Sequence, residues 1–155
     1  MNMLSTLKPT TKLRPSNAVA AIIYTKDNEV LLQKRDNLST IFYPNYWGFF
    51  GGAIDYKESS NMAIRRELLE EINYDFPNTR IKNLGSFSFN AIEIGISDFT
   101  RDFYTILIAK EEVAMYKLGE GADFALYKMS YALENIKIVP YDAFMLWMFC
   151  YKKYL

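Results

Sequence analysis

One short segment constrains the fold and the chemistry of this chain more than any other. Within residues 59–73, Arg66 is followed by three glutamates, Glu67, Glu70 and Glu71. Because residues three and four apart share a face of an α-helix, this spacing predicts a helix that brings the three carboxylates close together. Apolar residues recur on another stripe, which predicts a face packed against a core: Ile64, Leu68 and Ile72. Like charges at this spacing destabilise an isolated helix by roughly 0.2–0.5 kcal/mol per pair, and a bound cation would reverse that effect.

An acidic run of this kind is, by itself, more typical of a solvated helix face. The residues before it favour a second interpretation. The segment YWGFFGGAIDYKES places an aromatic strand and two glycines, Gly51 and Gly52, directly ahead of the helix. Glycine lets the backbone approach a ligand where a side chain would block it. Strand, glycine turn and acidic helix therefore form one unit, and its oxygen atoms suit Mg²⁺ or Mn²⁺.

This unit resembles the box of the Nudix hydrolase family, in which a glycine, a glutamate and the run Arg-Glu-aliphatic-any-Glu-Glu follow at fixed spacing. Seven residues fall on that pattern: Gly52, Glu58, Arg66, Glu67, Leu68, Glu70 and Glu71. The pattern fails where Asn73 stands for the final glycine and Tyr74 for the usual aliphatic residue. That glycine follows the helix end, where the backbone commonly turns left-handed and asparagine is the next best residue. We therefore expect Asn73 to act as a C-cap.

Composition agrees with one compact enzyme domain and excludes several classes of function. The chain has 155 residues, half of them apolar, which is enough for one sizeable core. Its 18 basic and 18 acidic residues cancel, so the charge does not favour a nucleic-acid polymer as partner. The sequence contains no histidine, which excludes histidine bases and most zinc sites. The lone Cys150 is expected to pack among apolar side chains.

The N-terminal residues predict an arm rather than a targeting segment. Residues 1–16 lack the apolar run of a signal peptide and contain prolines, so we expect an extended arm ahead of a single domain over residues 17–155. No later segment approaches the roughly 20 apolar residues that a membrane span needs. We therefore expect a soluble, cytoplasmic protein without a membrane partner, as a monomer or homodimer.

Strand-like runs surround the acidic helix. NAVAAIIYT and VLLQKR predict a hairpin around the turn KDNE, and WGFFGG predicts a third strand. RIKNLGSFSFNAIEIG, TRDFYTILIAK and GEGADFALYKM predict further strands, and two helices follow from MSYALENI and YDAFMLWMFCYKKYL. This order predicts an α+β fold with a mixed sheet and helices on its faces, which agrees with the α/β/α sandwich that the Nudix resemblance implies.

The resemblance also implies a site for Mg²⁺ or Mn²⁺. Its ligands would be the carbonyl of Gly52 and the side chains of Glu67, Glu70 and Glu71. The chemistry agrees, because cleavage of a pyrophosphate bridge needs cations that cancel the phosphate charge and orient a water. Glu67 and Glu70 are the anchors of this site and its catalytic candidates, and the identity of the general base stays open.

Two further groups are predicted to support the acidic helix. Arg66 is expected to pair with Glu58 through its planar guanidinium and to hold neighbouring acids in place, which adds Arg66 to the catalytic set. Glu120 lies in the loop segment LGEGADFALY. MutT-type members carry a similar Glu-Gly loop whose acid binds metal or activates water. Asp123 competes for this role, and a solvated loop acid is the plain alternative.

Two residues are candidates for substrate binding. Neighbours in a strand point to opposite faces, so only one of Lys34 and Arg35 can approach a phosphate, and the guanidinium of Arg35 suits phosphate oxygens. A solvated strand end is the alternative. Asp142 opens the last helix, at a point where MutT-type enzymes place a polar residue that hydrogen-bonds the edge of a purine. A helix N-cap is the alternative for Asp142.

Aromatic residues near the box are candidates for stacking on a base: Tyr24, Phe42, Tyr43, Tyr46, Trp47 and Phe49. The resulting prediction is a metal-dependent Nudix pyrophosphohydrolase that cleaves a nucleoside diphosphate linked to a group X. A nucleoside triphosphate, in normal or oxidised form, is the first candidate substrate. The alternatives are a nucleotide-sugar or dinucleoside-polyphosphate hydrolase and a non-catalytic Nudix-like module that binds a nucleotide.

Overall fold

The computed structural model describes residues 15–90, 92–95 and 97–154. These residues form six strands and three α-helices: β1 (Ala18–Tyr24), β2 (Glu29–Lys34), β3 (Trp47–Gly48), α1 (Ser60–Ile72), β4 (Lys82–Phe89), β5 (Phe99–Leu107), β6 (Asp123–Lys128), α2 (Met129–Asn135) and α3 (Pro140–Tyr151). Short 3₁₀ helices occur as well: Ile92–Ile94, Lys110–Met115 and Lys152–Tyr154. The predicted strands and helices are therefore present in the predicted order.

The strands form one mixed sheet. β1 and β5 run parallel along their length, and β4 pairs antiparallel with the outer side of β5. β1 and β2 form the predicted hairpin, whose turn includes Asn28 at a φ of 57°. β6 pairs antiparallel with β2 over the whole of that strand. One parallel pairing among antiparallel ones confirms the mixed sheet.

The segment before the acidic helix fills a gap between β1 and β2. These two strands pair with each other only near their turn. Trp47 and Gly48 then pair with the end of β2, while Phe50 and Ala53 form isolated bridges to β1. The predicted third strand is thus regular only over two residues, because its partners change from one strand to the other. This change of partner places Gly51 and Gly52 beside Glu71 and Glu67 of α1.

Alternation along β1 builds two apolar layers, one on each face of the sheet. Val19, Ala21 and Ile23 pack with α1 in one cluster, which also contains Leu68 and Phe76. Ala20 and Ile22 belong to a second cluster on the other face, which includes residues of α2 and α3. Since strand side chains alternate between faces, a strand buried on both sides reads as a continuous apolar run. The predicted α/β/α sandwich is confirmed.

The predicted N-terminal arm lies mostly outside the described residues, which begin at Pro15. Pro15 and Ser16 have no regular secondary structure. Within residues 15–90, 92–95 and 97–154, none of the helices has the length and apolar character needed to cross a bilayer.

Candidate active site

Two caps define the acidic helix. Ser59 is the N-cap, and its hydroxyl accepts a hydrogen bond from the backbone N–H of Met62 at 3.3 Å. Asn73 ends the helix in the left-handed conformation, with a φ of 50°, and its N–H donates to the carbonyl of Leu69. Asn73 therefore acts as the predicted C-cap. Its departure from the usual glycine leaves the helix end intact.

The glycine pair brings the backbone closer to its neighbours than any side chain would allow. Gly51 has a φ of +141°, and a Cβ there would lie 2.1 Å from the carbonyl oxygen of Val19. A Cβ on Gly52 would lie 2.5 Å from Glu67 Oε1. The carbonyl oxygen of Gly52 accepts a hydrogen bond from Val19 N–H at 2.9 Å. One of its two lone pairs remains for a further ligand.

Arg66 is the centre of an ion-pair network. Its Nε and Nη2 donate to the two oxygens of Glu58 at 2.9 and 2.8 Å, and its Nη1 donates to Glu67 at 2.8 Å. Nη1 also lies 3.3 Å from Glu70, and Nη2 donates to the carbonyl of Ala53 at 2.9 Å. The hydrogen bonds from Arg66 lower the pKa of Glu58 to about 2. The predicted pairing of Arg66 with Glu58 is present and extends to two further carboxylates.

The three glutamates of α1 differ in their exposure to solvent, although the charges of Glu67 and Glu70, and of Glu67 and Glu71, act on each other. Glu71 is buried, at 6% exposure, and accepts a hydrogen bond from Gly51 N–H at 2.8 Å. Burial raises the pKa of Glu71 to about 8, and the charge of Glu67 adds to the rise. Burial also raises the pKa of Glu67, against the lowering effect of Arg66. The side chain of Glu70 is 47% exposed, because neighbouring helix residues point about 100° apart.

Residues 117–121 pack against the C-terminal end of α1. The N–H of Lys117 donates to the carbonyl of Ile72 at 3.0 Å, and the N–H of Gly119 donates to the carbonyl of Glu71 at 2.8 Å. A Cβ on Gly119 would meet the helix backbone at 1.9 Å. The loop therefore supplies donors to the helix carbonyls that lack partners within the helix.

The same loop brings Glu120 to the acidic cluster. The Gln33 side chain donates to the carbonyl of Glu120 at 3.0 Å, which ties the loop to β2. Glu120 lies near enough to Glu67 and Glu71 for its charge to raise the pKa of both. Asp123, the competing candidate, begins β6 and accepts a hydrogen bond from its neighbour's backbone N–H. Of the two loop acids, Glu120 is the one whose charge acts on Glu67 and Glu71.

The donor atoms of the predicted metal site are all oxygens, from Gly52, Glu67, Glu70 and Glu71. Such donors suit a hard divalent cation. The raised pKa of Glu71 reflects buried negative charge that lacks a positive partner. Across the described residues no three acidic side chains form a preassembled cage, and both Glu67 and Glu70 point to Arg66. The residues fit Mg²⁺ or Mn²⁺ in donor chemistry, and Arg66 bonds only one oxygen of each of these two side chains, Glu67 Oε1 and Glu70 Oε2.

A cleft of about 350 Å³ lies beside Gly51 and Gly52. Arg35 lines this cleft, and its Nε donates to the carbonyl of Phe42 at 2.8 Å. Lys34 does not belong to the wall of the cleft. The opposite directions of the two neighbouring side chains thus agree with the choice of Arg35.

Aromatic side chains form much of the cleft wall. Phe42 and Tyr43 are the two sequence candidates that line it, and the other four do not: Tyr24, Tyr46, Trp47 and Phe49. Phe89 and Phe99 also line the cleft, with their rings stacked at 4.8 Å between centroids. The cleft therefore offers flat apolar surfaces beside the acidic cluster.

Asp142 lies buried in the first turn of α3. The N-cap of α3 is Val139 and Pro140 is its first residue, so the N-cap alternative for Asp142 is wrong. Asp142 is 2% exposed, and its Oδ2 accepts a hydrogen bond from Phe49 N–H at 2.9 Å. Its Oδ1 lies 3.2 Å from Arg101 Nη2. Both oxygens are engaged inside the protein, and Arg101 lines the cleft while Asp142 does not.

The sequence interpretation missed three polar residues: Gln33, Arg101 and Tyr141. A signal for two of them was present. Arg101 lies two residues from the buried Phe103, on the same face of β5. Gln33 lies two residues from the buried Leu31, on the same face of β2. A polar residue on the buried face of a strand needs a partner, so each of these positions predicts a polar contact.

Comparison with known proteins places the chain in a family. The model of the NUDIX domain matches residues 14–144. No match is found among curated protein sequences. The fold is similar to the MutT protein from Methanosarcina mazei Go1, with a TM-score of 0.69, 18% identity, and coverage of 92% of this chain and 99% of that chain.

Two further solved structures share the fold. The NUDIX domain of Shewanella oneidensis NrtR, complexed with ADP ribose, has a TM-score of 0.70, 20% identity, and coverage of 99% of both chains. The E. coli dihydroneopterin triphosphate pyrophosphohydrolase has a TM-score of 0.65, 15% identity, and coverage of 88% of this chain and 95% of that chain. With its box intact except at Asn73 and Tyr74, the chain belongs to the NUDIX domain family and, as predicted, to the Nudix pyrophosphohydrolases.

Proposed function

We propose that this protein is a Mg²⁺- or Mn²⁺-dependent hydrolase that cleaves the pyrophosphate bond of a nucleoside diphosphate linked to a group X. A nucleoside triphosphate, in normal or oxidised form, is the first candidate. One juxtaposition supports this most strongly. The acidic cluster of Glu67, Glu71 and Glu120 lies beside the glycine pair, and the glycine pair lines a cleft that also contains Arg35.

Each residue of the acidic cluster has a distinct proposed role. Gly52, Glu67, Glu70 and Glu71 would hold the cation, which when bound neutralises phosphate charge and lowers the pKa of a coordinated water. Arg66 orients Glu67 and Glu70, since it donates to both. Its own position is fixed by two hydrogen bonds to Glu58.

Glu120 is the proposed proton acceptor from outside the box. Its side chain is exposed, near Glu67 and Glu71, on a loop held by Gln33. An exposed carboxylate at the edge of the cluster can accept the proton of an attacking water. Arg35 complements these acids, because its guanidinium lines the cleft and suits phosphate oxygens.

The names of related structures refer to different ligands, namely ADP ribose and dihydroneopterin triphosphate. The shared fold therefore does not select the group X. We propose a small nucleotide as substrate and no nucleic-acid polymer, in line with the balanced charge of the chain. A cytoplasmic location and a monomeric or homodimeric state remain predictions.

The test is a screen with Mg²⁺ or Mn²⁺ of nucleoside triphosphates, oxidised triphosphates, dinucleoside polyphosphates and nucleotide sugars. Release of phosphate or pyrophosphate is the readout. Glu70→Gln is expected to abolish the signal, whereas the matched control Glu134→Gln, on the exposed side of α2, is expected to keep it. Persistent activity in Glu70→Gln would mean that the site is wrongly assigned.

Replacement of Glu120 distinguishes its proposed role as proton acceptor from the proposed cation binding by the box residues. In Glu120→Gln we expect turnover to fall by about 10²- to 10⁴-fold with metal binding largely kept, because only the proton acceptor is lost. Unchanged turnover would remove Glu120 from the mechanism. Nucleotide binding by the wild-type protein without turnover, with either metal, would support the non-catalytic binding module instead.

A further inference from the structure

β4 is an outer strand of the sheet, and one of its two edges is open. It pairs with β5 on one side, and among the described residues no strand pairs with its other side. Six of its eight residues are exposed. The backbone N–H and C=O groups along such an edge are a ready template for pairing with another chain.

Most features that normally protect a sheet edge are missing from the sequence of β4. From Asn83 to Phe89 the strand contains neither a charged residue nor a proline, and only Lys82 at its start is charged. A register irregularity lies between Asn83 and Gly85, and the pairing with β5 is regular from there to Phe89. A Cβ on Gly85 would meet no described heavy atom within 4 Å. The edge from Gly85 to Phe89 can therefore accept another strand.

The helix beside this edge is apolar on both of its sides. α3 has the sequence PYDAFMLWMFCY, in which Asp142 is the only charged residue. Its inner side is buried in the core through Met145, Leu146 and Phe149. A helix that is apolar all round is normally buried all round. The outer side of α3 is instead exposed, which is typical of a surface that another molecule covers.

A row of aromatic rings joins this outer side to β4. Phe144, Trp147 and Tyr151 follow each other at helical spacing and are 52%, 44% and 42% exposed. The ring centroids of Phe144 and Trp147 are 6.5 Å apart, and those of Trp147 and Tyr151 are 5.9 Å apart. Phe144 also lies 6.1 Å from Phe87 of β4. The open edge and this aromatic row therefore form one continuous surface.

Two-fold symmetry would cover both parts of this surface at once. Two copies of β4 that pair antiparallel are related by an axis perpendicular to the sheet, so the α3 sides of both copies lie on the same face. The two α3 helices then face each other across the axis, and their aromatic rows meet. Antiparallel pairing also places Lys82 of one copy toward the Phe89 end of the other, which keeps the like charges apart.

The surface has the size that a dimer needs. A specific interface buries at least about 1,000 Å² in total, which is about 500 Å² from each copy. An aromatic side chain buries about 150–250 Å², so the exposed fractions of Phe144, Trp147 and Tyr151 correspond to roughly 200–350 Å² per copy. The six exposed residues of β4 can supply the remainder.

We propose that β4 and the aromatic row of α3 form the interface of a homodimer, in which β4 pairs antiparallel with β4 of a second copy and one sheet continues through both. A second copy fits this surface because the surface is self-complementary. An uncharged strand edge meets the same edge, and aromatic rings meet the same rings. The inference goes beyond the proposed function and does not depend on it.

Sedimentation equilibrium of the full chain from about 1 to 100 μM tests for the dimer, since weak specific interfaces have Kd values in this range. We expect a reversible equilibrium between monomer and dimer. Hydrogen exchange at the two ends of this range locates the interface. Amides of β4 should exchange about tenfold more slowly at the higher concentration, because the open edge gains partners. A protein that stays monomeric, or a dimer without added protection in β4, overturns the inference.

Phe144→Glu is expected to weaken the dimer by about 30-fold or more, because it removes a central aromatic ring and brings two carboxylates together. The matched control is Tyr131→Glu. Tyr131 is also 52% exposed, and its ring stacks on Tyr127 of β6 at 19°, the same angle as between Phe144 and Trp147. This control is expected to dimerise like the wild type. A dimer that is equally weakened by both substitutions overturns the inference.

A second variant tests the strand edge, because Phe144→Glu also disturbs the contact with Phe87 inside one copy. Ser86→Lys places a charge at the middle of the exposed edge, where lysine opposes strand pairing. We expect it to weaken the dimer by about tenfold or more, whereas Ser130→Lys, at an exposed position of α2, should leave it unchanged. Circular dichroism at low concentration checks that each variant folds. Folded Ser86→Lys protein that dimerises as tightly as the wild type overturns the inference.

Discussion

Two buried carboxylates lie on opposite faces of the sheet, and each is held by the same stretch of backbone. Glu71, on the α1 side, accepts from Gly51 N–H at 2.8 Å, and Asp142, on the α3 side, accepts from Phe49 N–H at 2.9 Å. They are 6% and 2% exposed. Asp142 has Arg101 as its counter-charge, whereas the charged neighbours of Glu71 are other carboxylates.

The comparison teaches that burial alone does not make a carboxylate functional or structural. Whether a buried carboxylate has a structural role or can bind a ligand depends on whether a neighbouring group compensates its charge. Asp142 has its counter-charge inside the protein, and this ion pair positions Arg101. Glu71 has only carboxylates as charged neighbours, and its pKa is raised to about 8, so a bound cation would stabilise its ionised form.

The largest expected difference between the two acids is in turnover. Glu71→Gln should lower kcat/KM by about 10³-fold or more, because loss of a proposed cation ligand would remove several kcal/mol of charge stabilisation in the transition state. Asp142→Asn should lower it by roughly 10- to 100-fold, since it acts only through Arg101. Steady-state kinetics at saturating Mg²⁺ measure both. Equal losses of kcat/KM in the two variants would contradict the different roles proposed for the two carboxylates.

The second difference is in the stability of the metal-free protein. Asp142→Asn should cost about 3 kcal/mol in the free energy of unfolding, because it leaves Arg101 buried without a counter-charge. Glu71→Gln should cost less than about 1 kcal/mol, since glutamine keeps the acceptor for Gly51 and the raised pKa of Glu71 leaves little ionised carboxylate to lose at pH 7. Urea unfolding with a chelator present measures this. A larger loss in Glu71→Gln would show that its charge is already compensated.

The third difference is in the response to metal. Mg²⁺ at about 100 times its Kd should raise the free energy of unfolding of the wild-type protein by about 2.7 kcal/mol. Asp142→Asn should keep this rise and Glu71→Gln should lose most of it, because Glu71, unlike Asp142, is a proposed cation ligand. Thermal unfolding over a Mg²⁺ titration provides the measurement. An unchanged rise in Glu71→Gln would exclude that residue from the site.

The smallest expected effect concerns a carboxylate that is already paired. Hydrogen bonds from Arg66 and from the backbone of Asp55 lower the pKa of Glu58 from 4.5 to about 2. A lowered pKa in the folded state favours the ionised form, so the stabilisation is complete above about pH 5 and is lost as the pH falls from 4.5 toward 2. The stability gap between wild type and Glu58→Gln should therefore narrow between pH 7 and pH 3 in urea unfolding. A constant gap would contradict the pairing.

Much of the fold and part of the site followed from local patterns. Runs of β-favouring apolar residues predicted β1 and β2, and the helical spacing predicted α1 with its buried stripe. Asn73 was predictable as a C-cap because the left-handed conformation depends on the residue itself. Arg66 and Glu58 were predictable as a pair from the box pattern, which places Glu58 just before α1 and Arg66 eight positions later within it.

Contacts between distant segments were not predictable in the same way. Arg101 and Asp142 are 41 residues apart in sequence, and Gln33 and Glu120 are 87 residues apart. Each pair depends on how β2, β5 and α3 pack together. Their sequence signal was only a polar residue on a buried face, which predicts that a partner exists without naming it.

The sequence by itself determined the family, the acidic helix and its caps, because these depend on residue spacing along one element. Tertiary structure alone decided that Glu71 is buried among carboxylates while Asp142 meets an arginine. The physical reason is that charge compensation depends on distance in space, and the sheet sets these distances by bringing Gly51, Phe49 and their two helices together.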